Sequence, residues 1–294
     1  MLMADPEILA RIGALELAAR HIVDGLLAGS HRSPQHGFSV EFAQHRDYVP
    51  GDDIRHVDWK VFGRTERYFL KQYELETDLA LWLLVDASES MRYTSGGRTK
   101  YECACLAAAA LAHLALKQSD SVGLATFDEQ IRALLRPASR PGHGRDLLRI
   151  LAEGPGNGTS RIEPVLHAAA ERFNRRGIVA IFSDLFDDPA EVLAGLRHLK
   201  FLRHDVIVFH VLDPAEIDFP FREATLFRGL ETGNDMLTDP LSVRESYMEE
   251  LQQFMAMLEQ GCRHSHIDYV RLLTDTDLAA VLAQYLGRRT TVGG

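Results

Sequence analysis

Residues 81 to 91 read LWLLVDASESM, so five apolar residues run straight into Asp86, Ser88 and Ser90, spaced two apart. A carboxylate and hydroxyls are hard oxygen donors, the class that suits Mg²⁺ or Mn²⁺ with water completing roughly six positions. The Asp-x-Ser-x-Ser alternation lets a tight turn aim alternate side chains at one ion. Two later stretches offer the same chemistry. GNGTSRIEPVL is a Gly-rich turn that sets Thr159 and Ser160 just before a helical pattern, and IVAIFSD ends in Asp184. Asp86, Ser88, Ser90, Thr159 and Asp184 are therefore the candidate metal ligands. With so few carboxylates the ion would stay electrophilic and take a partner's carboxylate as a further ligand. The plainer alternative is that Ser88 and Ser90 cap a helix and that the two aspartates merely end strands.

These residues need a scaffold that brings three loop tips together. From Asp78 onward apolar strand patterns occur at 79–85, 121–127, 178–183, 206–212 and about 267–273. Helical patterns lie between most of them, at 99–118, 142–152, 160–175, 188–203, 242–262 and 275–287. Strands alternating with helices indicate an α/β fold: a doubly wound, mainly parallel sheet with helices on both faces. Residues 131–136 read as an antiparallel edge strand, and 223–239 as an inserted hairpin. Ligands of open parallel sheets sit beyond the carboxyl ends of the strands, where strand order reverses, and Asp86 and Asp184 both stand at such ends. Ahead of this core, residues 5–28 form an amphipathic helical pattern closed by Gly29. A stretch rich in His, Arg, Asp and aromatics follows, with strand-like FSVEF and RYFLKQYELE. The expected division is 1–77, an N-terminal helix and small β/loop segment packed on the core, and 78–290, the sheet domain.

From about Asp78 to the C-terminus the chain resembles the von Willebrand factor A-type domains, whose metal-ion-dependent adhesion site uses the pattern of Asp86, Ser88, Ser90, Thr159 and Asp184 in this order. That family usually follows its last aspartate with Gly, whereas Leu185 stands here. Upstream, Tyr48, Gly51, Asp52, Asp53, Arg55, Asp58 and Trp59 match a signature found just ahead of such a domain in domain-of-unknown-function family 58. This second resemblance spans about Gly29 to the end. It implies association with a MoxR-type AAA+ ATPase, with the chain acting as adaptor or cofactor in maturation or remodelling of a client protein. The signature residues either lock their segment by Arg–Asp pairing or form a docking surface, and both readings stand.

The alternative function is a Mg²⁺- or Mn²⁺-dependent hydrolase of phosphoesters at the same strand tips. No catalytic constellation is readable: there is no GxSxG elbow and no HExxH, and GGRTK (96–100) lacks phosphate-loop spacing. The 294 residues carry a net charge of −10, which disfavours nucleic acid and anionic lipid as partners. Three cysteines with no CxxC pair argue against a disulfide framework and for a reducing compartment. Cys103 and Cys105 read as small core residues, and Cys262 with His264 and His266 fits no structural zinc spacing. No signal peptide and no apolar run of about 18 residues is present, so a cytoplasmic location is expected.

Overall fold

Strand β3 (Ala80–Asp86) is buried along its whole length, as a near-continuous apolar run must be when both sheet faces are covered. It pairs in parallel with β4 (Ser121–Phe127) on one side and β6 (Gly177–Ser183) on the other. In this computed structural model the described residues are 6–29, 41–47, 69–74, 80–173, 175–228 and 235–292. The sheet continues to β5 (Ile131–Ala138), β7 (Asp205–Leu212) and β10 (Asp268–Leu273) in the order β10-β7-β6-β3-β4-β5. All its pairings are parallel except β4 with β5. The architecture is α/β with a mainly parallel sheet, as the sequence pattern requires.

Alternation along β3 divides the core into two layers. Leu81, Leu83 and Val85 join one cluster with Ala-rich α2 (Lys100–Lys117), α3 (His143–Ala152) and α8 (Leu278–Val292). Ala80, Trp82 and Leu84 join the other with α4 (Ile162–Arg172), α5 (Pro189–Phe201) and α7 (Pro240–His264). Trp82 stacks on Phe173 at 3.9 Å and lies over Gly123, where a Cβ would come within 2.6 Å of the indole ring. The chain turns from the β4 side to the β6 side of β3, which makes the tips of β3 and β6 the point of strand-order reversal.

The chain falls into two units, one of Met1–Ser33 with Leu79–Gly294 and one of Pro34–Asp78. This differs from the division expected at 77/78. Helix α1 (Pro6–Gly29) belongs with the sheet, because Ile12, Ala19, Val23 and Leu26 are buried in the same cluster as α2, α3 and α8. In the smaller unit β1 (Glu41–Asp47) pairs antiparallel with β2 (Phe69–Glu74), with an irregularity between Phe42 and Gln44. The short helix α6 (Pro214–Asp218) precedes the hairpin of β8 (Thr225–Arg228) and β9 (Asp235–Thr238). Helix boundaries follow their caps. Helix α7 starts at Pro240 because Asp239 accepts from Leu241 N–H. Helix α8 starts at Leu278, since Asp277 turns its carboxylate to Ala279 N–H. Among the described residues no helix is long and apolar enough to cross a membrane.

Candidate functional site at the tips of β3 and β6

Asp86 ends β3 with no exposed surface. Its Oδ1 accepts Ser88 N–H at 2.9 Å, a local turn that fixes the carboxylate. Its Oδ2 accepts the hydroxyls of Ser183 at 2.6 Å and Ser160 at 3.2 Å. Burial, then repulsion from Asp184, pushes its carboxyl up to about 7, although bonds from Ser183 and Ser88 pull the other way. The backbone beyond Asp86 is pinned on both sides. Ala87 N–H donates to Phe127 C=O at 2.6 Å, Gly156 N–H to Ala87 C=O at 2.6 Å, and Glu89 N–H to Gly158 C=O at 3.0 Å. Gly156 and Gly158 pass close to Asp128, where a Cβ on either would come within 3.2 Å of its side chain.

Ser88 precedes a 3-10 turn, Glu89–Arg92, but its side chain caps no N–H. Its Oγ instead lies 3.1 Å from Ser90 Oγ, and Ser90 in turn hydrogen-bonds the Asp184 carboxylate. The hydroxyls thus face the space between the two aspartates rather than serving a helix.

Asp184 follows β6 and is also fully buried. Burial would raise its carboxyl, but the Lys100 ammonium outweighs it and holds the group below the usual range. Lys100 Nζ donates to Asp184 Oδ2 at 2.8 Å and to Glu216 Oε1 at 2.7 Å, and only 1% of the lysine side chain is exposed. Burial alone would depress the ammonium, yet the two carboxylates raise it above its ordinary value. Leu185, the residue after Asp184, has φ of +56°, the left-handed region where glycine is at ease. The turn that a glycine would make is made here by a buried leucine.

Behind Asp184, His210 Nε2 lies 2.8 Å from the Asp184 carbonyl, which can only accept. The Nε2–H tautomer follows, leaving Nδ1 to accept from Tyr269 O–H at 2.5 Å. Burial pushes the His210 imidazole down to about 4, so it is neutral.

Asp86, Ser88, Ser90 and Asp184 are therefore brought together as their spacing suggests, and Thr159 is not. Its hydroxyl donates to Glu129 Oε1 at 2.8 Å, while the neighbouring Ser160 is the loop hydroxyl that reaches Asp86. Helix α4 begins only at Ile162, two residues later than the sequence pattern indicates, which leaves Ser160 in the loop. Ser183, Lys100 and Glu216 also belong to the cluster and went unnoticed in the sequence. Tyr48, Gly51, Asp52, Asp53, Arg55, Asp58 and Trp59 lie outside the described residues.

The cluster fits a hard divalent cation by its donors. The oxygen donors are carboxylates and hydroxyls, with the Lys100 ammonium beside Asp184. The Ser88 and Ser90 oxygens are 3.1 Å apart, close to the roughly 3 Å edge of an octahedron with bonds of 2.0–2.1 Å. Two buried carboxylates face one another, and that of Asp86 is pushed up by burial and then by the charge of Asp184. Among the described residues no group of three or more His, Cys, Asp or Glu that could hold a metal occurs, so any ion here would rest on two carboxylates and on hydroxyls.

A family model described as a protein of unknown function, DUF58, matches residues 44–256. Uncharacterized proteins of Mycobacterium tuberculosis and Mycobacterium bovis (Rv1480 and Mb1516) are each 28% identical over 292 residues, covering 97% of this chain and 90% of their own. The uncharacterized protein YeaD of Bacillus subtilis is 31% identical over 133 residues, covering 45% of this chain and 31% of its own. Two solved structures are similar at 15% identity and 72% coverage of this chain. BatB from Bacteroides thetaiotaomicron has a TM-score of 0.49 over 99% of its chain. An aerotolerance-related membrane protein from Bacteroides fragilis has 0.48 over 98%.

Proposed function

The chain belongs to the DUF58 family, and from that premise we propose that it is a von Willebrand factor A-like, non-enzymatic binding module that holds Mg²⁺ or Mn²⁺ and grips an acidic side chain of a partner protein through it. The observation that carries this reading is the convergence of Asp86 and Asp184, both fully buried, with Ser88 and Ser90 between them at the strand-order reversal.

Asp86, Ser88, Ser90 and Asp184 would hold the ion, with Ser160 within reach through Asp86. When bound, the ion supplies an electrophilic position that an external carboxylate can fill. The chain's own residues do the rest. Ser183 and the Ser88 backbone hold Asp86 still, and the pinned loop at Gly156 and Gly158 keeps the Ser88–Ser90 turn in place. Preorganised ligands of this kind lose little entropy when the ion or the partner arrives.

The partner proposed is a MoxR-type AAA+ ATPase, with this chain as its adaptor toward a client protein in the cytoplasm. The family membership and the acid-seeking chemistry of the site are what support it. The test is affinity capture on the wild-type chain and on Asp86→Ala, in Mg²⁺ and in EDTA, with captured proteins identified by mass spectrometry. An AAA+ ATPase retained by the wild type only in Mg²⁺, and lost with Asp86→Ala, is the expected result. Retention in EDTA would move the contact away from the strand tips, and no ATPase under either condition would remove the partnership.

A further inference from the structure

Lys100 is placed where a structural lysine has little reason to be. It is the first residue of α2, behind the N-cap Thr99, and a cation at a helix N-terminus opposes the helix dipole. Its ammonium is almost wholly buried, so it also gives up its hydration. What surrounds it replaces both losses. Asp184 Oδ2 and Glu216 Oε1 accept its hydrogens, and the rings of Phe186 and Tyr93 lie 4.9 Å and 5.8 Å from Nζ.

Glu216 is itself held in place. Its Oε2 accepts Asp213 N–H at 2.7 Å in the capping box of α6, and its Oε1 faces the lysine. Asp184 is shared in the same way. Oδ2 faces Lys100, and Oδ1 accepts Phe186 N–H at 3.4 Å. One of the two carboxylates proposed to hold the divalent ion is thus already partnered by a tethered cation, and a second carboxylate competes for that cation.

We infer that Lys100 is a built-in counter-cation that weakens the hold of Asp184 on the divalent ion, and that Glu216 sets how strongly it does so. The site is thereby kept weak for the ion alone and left dependent on a partner's carboxylate to complete it. This inference rests on the metal-binding reading above and adds its regulation. It gives opposite signs for two substitutions. In Lys100→Met, which keeps chain length and removes the charge, Asp184 is freed for the ion. In Glu216→Gln, the ammonium loses its second carboxylate and bears on Asp184 alone.

The experiment is a Mn²⁺ titration of the full chain, wild type and both variants, with free Mn²⁺ read by electron paramagnetic resonance. Far-ultraviolet circular dichroism on the same samples reports folding. Lys100→Met is expected to bind Mn²⁺ roughly tenfold more tightly than wild type, and Glu216→Gln more weakly by a smaller factor. A purely structural role would lower affinity in both variants, or leave it unchanged in both, and either result overturns the inference while leaving the metal site intact. If Lys100→Met does not fold, Lys100→Gln, whose amide can still hydrogen-bond Asp184, takes its place: unchanged or weaker binding than wild type overturns the inference. No Mn²⁺ bound by the wild type or by any folded variant overturns the metal reading and this inference with it.

Discussion

Ser183 donates its hydroxyl to Asp86 Oδ2 across 2.6 Å and accepts Leu185 N–H at 3.0 Å. One side chain therefore ties the tip of β3 to the turn that carries Asp184. Ser183→Ala leaves the Leu185 N–H buried without that acceptor and takes a donor from Asp86. A lost partner of this kind costs about 1–3 kcal/mol. Urea unfolding in EDTA should show a loss of that size. Mn²⁺ affinity should fall as well, because the Asp86 carboxylate loses a bond that favours its charged form. A variant as stable as the wild type would mean that the two tips are held together by other bonds.

Asp86 makes the protein's stability depend on pH in an unusual direction. Its folded-state pKa is raised from 3.8 to about 7. Between those values the folded chain keeps a proton that the unfolded chain has released, so its contribution to stability falls as pH rises through the window. Full linkage would be worth about 4 kcal/mol above pH 7, part of which the amide of Asp86→Asn forfeits by replacing one acceptor with a donor. In EDTA at pH 7.5 Asp86→Asn should be roughly 1–3 kcal/mol more stable than wild type. At pH 4, where the wild-type carboxyl is also protonated in the folded chain, that advantage should be gone and the variant should be the less stable by about the 1–3 kcal/mol that the amide forfeits. His210, lowered to about 4, acts in the opposite sense between pH 4 and 6.5, but it is common to both proteins and cancels in the comparison. Mn²⁺ at pH 7.5 should stabilise the wild type and not the variant. An advantage for Asp86→Asn that is equal at both pH values would contradict the assignment of the buried charge.

The two adjacent hydroxyls of the Gly-rich loop can be separated. Ser160 reaches Asp86, and Thr159 faces Glu129. Ser160→Ala should weaken Mn²⁺ binding several-fold and lower stability by about 1 kcal/mol. Thr159→Ala should leave Mn²⁺ affinity within about twofold of wild type, since its partner is an exposed carboxylate outside the cluster. The reverse ranking in the titration would show that the loop rearranges when the ion enters.

Much of this arrangement is legible in the residues. The apolar run ahead of Asp86 and the run ahead of Asp184 mark two buried parallel strands, and their shared ending in a carboxylate marks the tips. The edge strand after Phe127 and the hairpin before α7 are equally plain from their short alternating patterns. What escapes the sequence depends on tertiary geometry. Ser183 reads as one more strand residue, and its role exists only because β6 lies beside β3 in register. Lys100 reads as the end of a Gly-rich turn, since its two carboxylates are 84 and 116 residues away. Thr159 and Ser160 differ by one position, and which of them turns inward depends on where α4 begins. Helix α1 reads as an amphipathic helix packed on the core, but the apolar faces of α2, α3 and α8 that cover it come later in the chain.

Leu185 tests which of two opposed effects governs the turn after Asp184. Its φ of +56° costs a leucine about 1–2 kcal/mol relative to glycine. Its side chain, however, is wholly buried in the cluster between β6, α4 and α5. Removing a buried leucine side chain costs about 2–5 kcal/mol, and glycine adds about 1 kcal/mol of unfolded-chain entropy. Burial should win, so Leu185→Gly should be less stable than wild type by roughly 2–4 kcal/mol in urea unfolding. Mn²⁺ affinity should change little in the folded variant, because Asp184 is still held by Lys100 and Ser90. A Leu185→Gly protein as stable as the wild type would mean that backbone strain at this turn matches the value of the buried side chain. In that case the energetic reason for a leucine after Asp184 would have to lie in the exclusion of water from the two carboxylates, and Mn²⁺ affinity would fall even though stability had not.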